Sequence, residues 1–167
     1  VTKSLRWLIS RSYNNAQAII AISRGVADDL MMLTGIPEER VFRIYNPVDL
    51  ERVRYRSHET VSHPWLTGGD LPVVLAVGKL RPQKDYPTLI RAFARVRAHQ
   101  QARLVILGEG EERRRLAHLV KDYGIEEAVY MPGFVENPFV WMAHASVFVL
   151  SSAWEGFSNV LLEALAC

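Results

Sequence analysis

Val147-Phe148-Val149-Leu150 runs directly into Ser151-Ser152-Ala153-Trp154-Glu155-Gly156-Phe157-Ser158-Asn159-Val160-Leu161-Leu162-Glu163-Ala164 near the end of the chain. The four apolar residues read as a buried strand, and the run from Asn159 onward reads as a helix. A glutamate, a glycine and a serine sit in the tight loop between them. In an open α/β sheet, ligands bind beyond the carboxyl ends of the strands. This loop therefore stands where a ligand would bind. The helix start behind it offers free N–H groups and a positive dipole end to an anion. Glu155 and Glu163, with residues 156–162 between them, first suggest a general acid and base, or two carboxylates flanking a glycosidic bond.

Three more strand–helix units precede this one. Val73-Val74-Leu75-Ala76-Val77 reads as a buried strand with the polar exit Gly78-Lys79-Leu80-Arg81-Pro82-Gln83-Lys84-Asp85. A helix over 86–98 follows, with Leu89, Ile90, Phe93 and Val96 facing inward. Leu104 to Leu107 is the next strand, with the turn Gly108-Glu109-Gly110 and a helix over 111–122 that opens acidic and is capped by Gly124. Val129-Tyr130-Met131 is a short strand leaving through Pro132-Gly133-Phe134-Val135. Asn137 caps a short helix to Ala145. Four strands alternating with helices at this spacing predict an α/β fold, a Rossmann-like parallel sheet flanked by helices.

The first part of the chain carries a smaller βαβ pattern. Ala18 to Ile22 reads as a strand and Ser23 as an N-cap. Gly25 to Thr34 reads as a helix stopped by Gly35 and Pro37, and Val41 to Tyr45 as a second strand ended by Asn46-Pro47. Residues 1–17 predict a helix with Leu5, Leu8 and Ile9 on one face and Lys3, Arg6 and Arg11 among them. Packing on a neighbouring domain is the expected role. A basic amphipathic helix also suits an anionic membrane surface. Residues 49–70, with Arg52, Arg54 and Arg56 and then His58, His63, Pro64, Gly68 and Gly69, read as an interdomain linker with a solvated arginine face.

Composition excludes several classes. The 167 residues are 49% hydrophobic and 23% charged, as in a globular protein, and the net charge of +2 is too small to imply a nucleic-acid partner. One cysteine, Cys167, permits no internal disulfide and points to a reducing compartment. The histidines at 58, 63, 99, 118 and 144 form no ligand spacing, so no metal is expected. There is no Gly-x-Ser-x-Gly elbow and no Gly-Lys-Ser/Thr loop. Gly108-Glu109-Gly110 falls short of the dinucleotide fingerprint, since position 113 is Arg and Tyr130 and Met131 end the next strand without an acid. The chain begins with Val1 and stops inside an apparently helical run, so the sheet is expected to be incomplete at both ends, a piece of a longer protein.

Gly78-Lys79-Leu80…Gln83-Lys84, Gly108-Glu109-Gly110, Gly133-Phe134-Val135 and the stretch from Glu155 to Ala164 occur in an order and spacing that resembles the donor-binding half of retaining glycosyltransferases of the GT-B fold, the group 1 type. The resemblance covers roughly residues 18–167, and Asn46-Pro47-Val48-Asp49 resembles that family's crossing between domains. It implies that residues 1–48 end an N-terminal acceptor domain, 49–70 link, and 71–167 form a truncated nucleotide-sugar-binding domain.

The resemblance also divides the two glutamates differently. Glu155 would accept hydroxyls of the donor sugar and Glu163 the ribose hydroxyls, roles that suit carboxylate acceptors. The N–H groups of Gly156 and Phe157 would approach the sugar, and those near Asn159, Val160 and Leu161 would face the diphosphate. Lys79 and Lys84 would neutralise the leaving diphosphate, with lysine at 79 where many members carry arginine. Gly78 would line the nucleotide groove, and Phe134 and Val135 would cradle the base. Arg81 is a bystander on this reading. Trp154, beside Glu155, is read as a packing residue, with contact to a sugar as the alternative.

The implied activity is hexosyl or N-acetylhexosaminyl transfer, with retention, from a nucleotide diphosphate-sugar, UDP-linked, to a glycan or lipid-linked acceptor, with no metal or other cofactor. The expected location is cytoplasmic, with peripheral contact at the inner membrane face, and the fragment alone is expected to be inactive. A non-catalytic nucleotide- or sugar-binding module on the same fold is the alternative.

Overall fold

A computed structural model describes the backbone of residues 3–167 and the side chains of residues 7–167. Lys3, Leu5 and Arg6, part of the expected first helix face, lie outside the described side chains. The chain forms two compact units, Val1–Pro47 with Gly156–Ser158, and Val48–Glu155 with Asn159–Cys167. No helix among the described residues is long and apolar enough to cross a membrane.

In the first unit, α1 (Lys3–Asn14) is followed by β1 (Ile19–Ala21), α2 (Arg24–Thr34) and β2 (Val41–Arg43). The two strands pair in parallel, Ile19 opposite Val41. Ser23 caps α2 as expected: its Oγ accepts the Val26 N–H at 3.2 Å. Gly35 ends the helix in the left-handed region and donates its N–H to the Met31 carbonyl. On α1, Ser10 donates to the Thr34 carbonyl at 3.1 Å, so the helix is held to the end of α2. Trp7 and Leu8 stay exposed.

The second unit holds α3 (Leu50–Ser57), α4 (Pro64–Thr67), β3 (Val73–Val77), α5 (Tyr86–Arg97), β4 (Arg103–Leu107), α6 (Arg113–Asp122), β5 (Val129–Gly133), α7 (Phe139–His144), β6 (Val147–Phe148) and α8 (Asn159–Ala166). The sheet order is β5-β4-β3-β6, and every pairing is parallel. Alternation along the central strands divides the core. Ala76, Leu104 and Ile106 pack with Leu89, Ile90 and Phe93 of α5 and Leu116 and Val120 of α6. Val73, Leu75, Val105 and Leu107 pack on the other face with Val53 of α3 and Phe139 and Met142 of α7.

Several expectations change. Residues 49–70 are not an open connection: they carry α3 and α4, and Val53 is only 2% exposed. The period-3 spacing of Leu50 and Val53 was masked by the arginines around them; Asp49 caps α3 by accepting the Arg52 N–H at 2.9 Å. The last strand is shorter than 147–150, and Val147 is 51% exposed, because β6 pairs only with β3 among the described strands. Val96 of α5 also faces solvent. β5 runs through Pro132, which an edge strand tolerates because its outward N–H need not pair. α6 starts two residues later than read, after Glu112, whose N–H donates to the Leu80 carbonyl at 3.0 Å. Its end behaves as read: Gly124 donates to Lys121 and Ile125 to Val120, the paired bonds of a left-handed glycine cap.

Candidate nucleotide-sugar site

Chain order and sheet order reverse between β3 and β6. In an open α/β sheet the crevice beyond the carboxyl ends at such a reversal receives the ligand. Here the exits of both strands bring the candidate residues. Backbone bonds fix the exits of β3, β4 and β5 as one rim: Gly78 donates to Leu107 O at 2.9 Å, Leu80 to Glu109 O at 2.9 Å and Gly108 to Gly133 O at 2.8 Å. Gly108 has φ +137°, and a Cβ there would meet the Gly78 carbonyl oxygen at 2.1 Å. Only glycine lets the two turns close to this distance.

Beneath this rim lies a cavity of about 450 Å³. Gly78, Lys79, Phe134, Val135 and Glu163 all line it, although they come from the exits of β3 and β5 and from α8. Phe134 is 79% exposed, so it is not a core residue. Arg52, Glu109 and Phe139 line the same cavity. Arg52 was read as part of a solvated linker face. The signal that could have placed it is the Asp49 cap, which starts a helix with Arg52 in its first turn. Its guanidinium carbon lies 6.0 Å from the Phe139 ring centre. Glu109 is held by Arg113 at 2.8 Å, and Arg113 also donates to the Met131 carbonyl at 2.8 Å. The arginine that breaks the dinucleotide fingerprint thus orients an acid on the cavity wall.

The β3 exit and the β6 exit are tied together. Ser151 Oγ donates to the Lys84 carbonyl at 2.7 Å, Gln83 Nε2 donates to the Trp154 carbonyl at 3.0 Å, and the Ala153 N–H donates to the Gln83 carbonyl at 2.9 Å. At the end of this seam Lys84 Nζ forms an ion pair with Glu155. Ser152 Oγ donates to the same carboxylate oxygen at 2.8 Å. Burial by itself pushes the Glu155 carboxyl up, but the hydrogen bonds from Lys84 and Ser152 and the Lys84 charge outweigh it and hold the group below the usual carboxylate range. Glu155 is therefore held as an ionised acceptor rather than as a proton donor.

Other expected residues lie elsewhere. Gly156 and Phe157 cluster with the first unit: a Cβ at Gly156 would come within 3.2 Å of Val26, and the Phe157 ring stands 5.5 Å from Tyr45. Asn159 opens α8, Val160 packs into the core and Leu161 is partly exposed. Trp154, read as a packing residue, is 63% exposed; its carbonyl rather than its ring is anchored. No group of three or more His, Cys, Asp or Glu able to hold a metal occurs among the described residues.

Residues 58–167 match the family of glycosyl transferases group 1, and residues 1–52 match Glycosyltransferase Family 4. The N-acetylgalactosamine-N,N'-diacetylbacillosaminyl-diphospho-undecaprenol 4-alpha-N-acetylgalactosaminyltransferase of Campylobacter jejuni is 37% identical over 97% of this chain and 42% of its own length. The lipopolysaccharide outer core galactosyltransferase WaaB, solved in its apo form, is 29% identical with a TM-score of 0.68, over 90% of this chain and 41% of that one. Anabaena HepE, solved with UDP-glucose, shares the fold at a TM-score of 0.85 and 22% identity, over 100% of this chain and 47% of that one. The chain thus spans less than half the length of these relatives. With the group 1 match covering most of its residues, and covering the cavity wall from Gly78 to Glu163, the chain belongs to the group 1 glycosyl transferases.

Proposed function

We propose that this chain supplies the donor side of a glycosyltransferase that moves a hexosyl or N-acetylhexosaminyl group, with retention, from a UDP-sugar to a glycan or lipid-linked acceptor. The observation that carries this reading is the cavity in which Gly78, Lys79, Phe134, Val135 and Glu163 meet, with Lys84 and Glu155 paired on the adjoining seam. Support comes also from HepE, solved with UDP-glucose, and from the Campylobacter enzyme, whose name specifies a diphospho-undecaprenol-linked acceptor.

On this reading Phe134 and Val135 border the base and Glu163 accepts the ribose hydroxyls. When the bond from the anomeric carbon to the diphosphate breaks, its electron pair leaves with the diphosphate. Lys79, Lys84 and the start of α8 stabilise that charge as it grows, which is where a fixed electrostatic environment helps most. Glu155, held ionised, accepts donor-sugar hydroxyls and keeps the anomeric carbon over the cleft. Arg52 adds a second cation to the cavity wall. The reaction needs no metal, so transfer should persist in EDTA.

Titration of UDP into the full-length polypeptide should show binding, and transfer should require a nucleotide-sugar. Failure to bind UDP or any other nucleoside diphosphate would sink the proposal. Undiminished transfer by Glu155→Ala would remove Glu155 from the site. The isolated chain is expected to bind donor without transferring sugar.

A further inference from the structure

Tyr86 is the first residue of α5 and immediately follows the β3 exit loop. It is 3% exposed, with its ring in the core beside Ala76, Leu80 and Ile90. Its hydroxyl donates to the Gly78 carbonyl at 3.1 Å. Gly78 is the residue whose carbonyl continues into the peptide of Lys79, and both residues line the cavity. A Cβ built on Gly78 would lie 3.1 Å from the Tyr86 hydroxyl and 3.1 Å from Lys84 Cε, so ring, glycine and lysine stem are in one packed group. The chain around the tyrosine is held as well. Asp85 adopts φ +43°, a left-handed conformation that a non-glycine residue keeps only when its surroundings demand it. Asp85 is also the N-cap of α5, accepting the Thr88 N–H.

We infer that Tyr86 is a positioning residue for the diphosphate site: its hydroxyl fixes the Gly78–Lys79 peptide, and with it the direction in which Lys79 enters the cavity. The inference rests on the donor-site reading above. A core tyrosine whose ring packs fully has no need of a hydroxyl unless that hydroxyl has a partner, and here the partner is the one carbonyl between the sheet and the candidate lysine. The second lysine is set from the opposite side, by Ser151 on the Lys84 carbonyl. The two hydroxyls thus hold the two ends of the loop that carries both cations. Burial, and then the nearby Glu155 charge, push the phenol far above its ordinary range. The hydroxyl therefore remains a donor throughout the working pH range.

The test is a double-mutant cycle in the full-length enzyme, using Tyr86→Phe, Lys79→Ala and the pair, with Phe93→Leu as a control that disturbs the same core away from the loop. UDP affinity is read by calorimetry, donor KM and kcat by initial rates, and Tm by calorimetric scan. Tyr86→Phe should weaken UDP binding about fivefold to tenfold, the value of one ordered hydrogen bond. It should lower kcat on the order of tenfold through misplacement of Lys79. The affinity effect should vanish in the Lys79→Ala background. Phe93→Leu should lower Tm at least as far while leaving UDP affinity unchanged. An unchanged affinity in Tyr86→Phe, or the same loss with and without Lys79, overturns the role of Tyr86 alone. Wild-type UDP binding by Lys79→Ala overturns the donor-site reading and this inference with it.

Discussion

Glu155 and Lys84 lie 71 positions apart, and their pairing is the clearest case of a side-chain role set by folding. Each residue could be named from its own motif, yet nothing in either motif says that the carboxylate is already engaged by the lysine. The pair makes a pH prediction. The folded Glu155 carboxyl lies below its ordinary value of 4.5, so the stabilisation it contributes is present above that value and is lost as pH falls through the lower folded value. The urea midpoint of the protein should therefore exceed that of Glu155→Gln near neutrality, and the gap should close as the pH is taken below 4.5. Trp154 teaches the complementary lesson: an aromatic residue read as a packing residue has its ring in solvent, and only the backbone path decides that.

At the scale of elements, local chemistry was legible wherever one residue decides a boundary. Ser23, Gly35 and Gly124 cap or stop helices by side-chain or left-handed backbone geometry that needs no tertiary partner. The turn Gly108-Glu109-Gly110 was legible as a turn, but the contact that demands Gly108 was not. Gly108→Ala should destabilise the protein on the order of 3 kcal/mol in urea titration, because both backbone strain and collision with the Gly78 carbonyl oppose it. The helix α3 was obscured because its polar residues outnumber the few that are buried, and α4 because four residues are too few to show a helical period. α4 is capped by His63, whose Nδ1 accepts the Trp65 N–H at 3.3 Å while its ring packs against Trp65, Tyr130 and Trp141. The Arg103 guanidinium lies over Trp65 on the same cluster. Burial holds the His63 imidazole below its ordinary 6.5, favouring the neutral, accepting ring. Its contribution is thus present above pH 6.5 and lost as pH falls through the interval beneath it. Wild-type Tm should drop through that interval more steeply than that of His63→Gln.

On the scale of the whole molecule, the short continuous apolar runs of residues 73–150, alternating with period-3.6 helical patterns, determined by themselves that a parallel α/β sheet would form, since each strand must bury two faces and each helix one. The motif from Glu155 to Glu163, with Lys79, Lys84 and the glycine turns, likewise determined the family. Saturating UDP, at a hundred times its Kd, should raise stability by about 2.7 kcal/mol. Glu163→Ala should weaken UDP binding by about tenfold to a hundredfold, through loss of a charged acceptor, and a thermal-shift titration reads both. What tertiary structure alone decided is which residues meet. The order β5-β4-β3-β6 places the exits of β3 and β6 side by side, and so joins Lys84 to Glu155. The same packing draws α3 against the sheet and sets Arg52 on the cavity wall with Lys79 and Glu163. Strand and helix periodicity is a property of neighbours along the chain, which a sequence displays directly. Strand order is a choice among long-range pairings of similar apolar strands, and it is made only when the faces of those strands compete for the same helices.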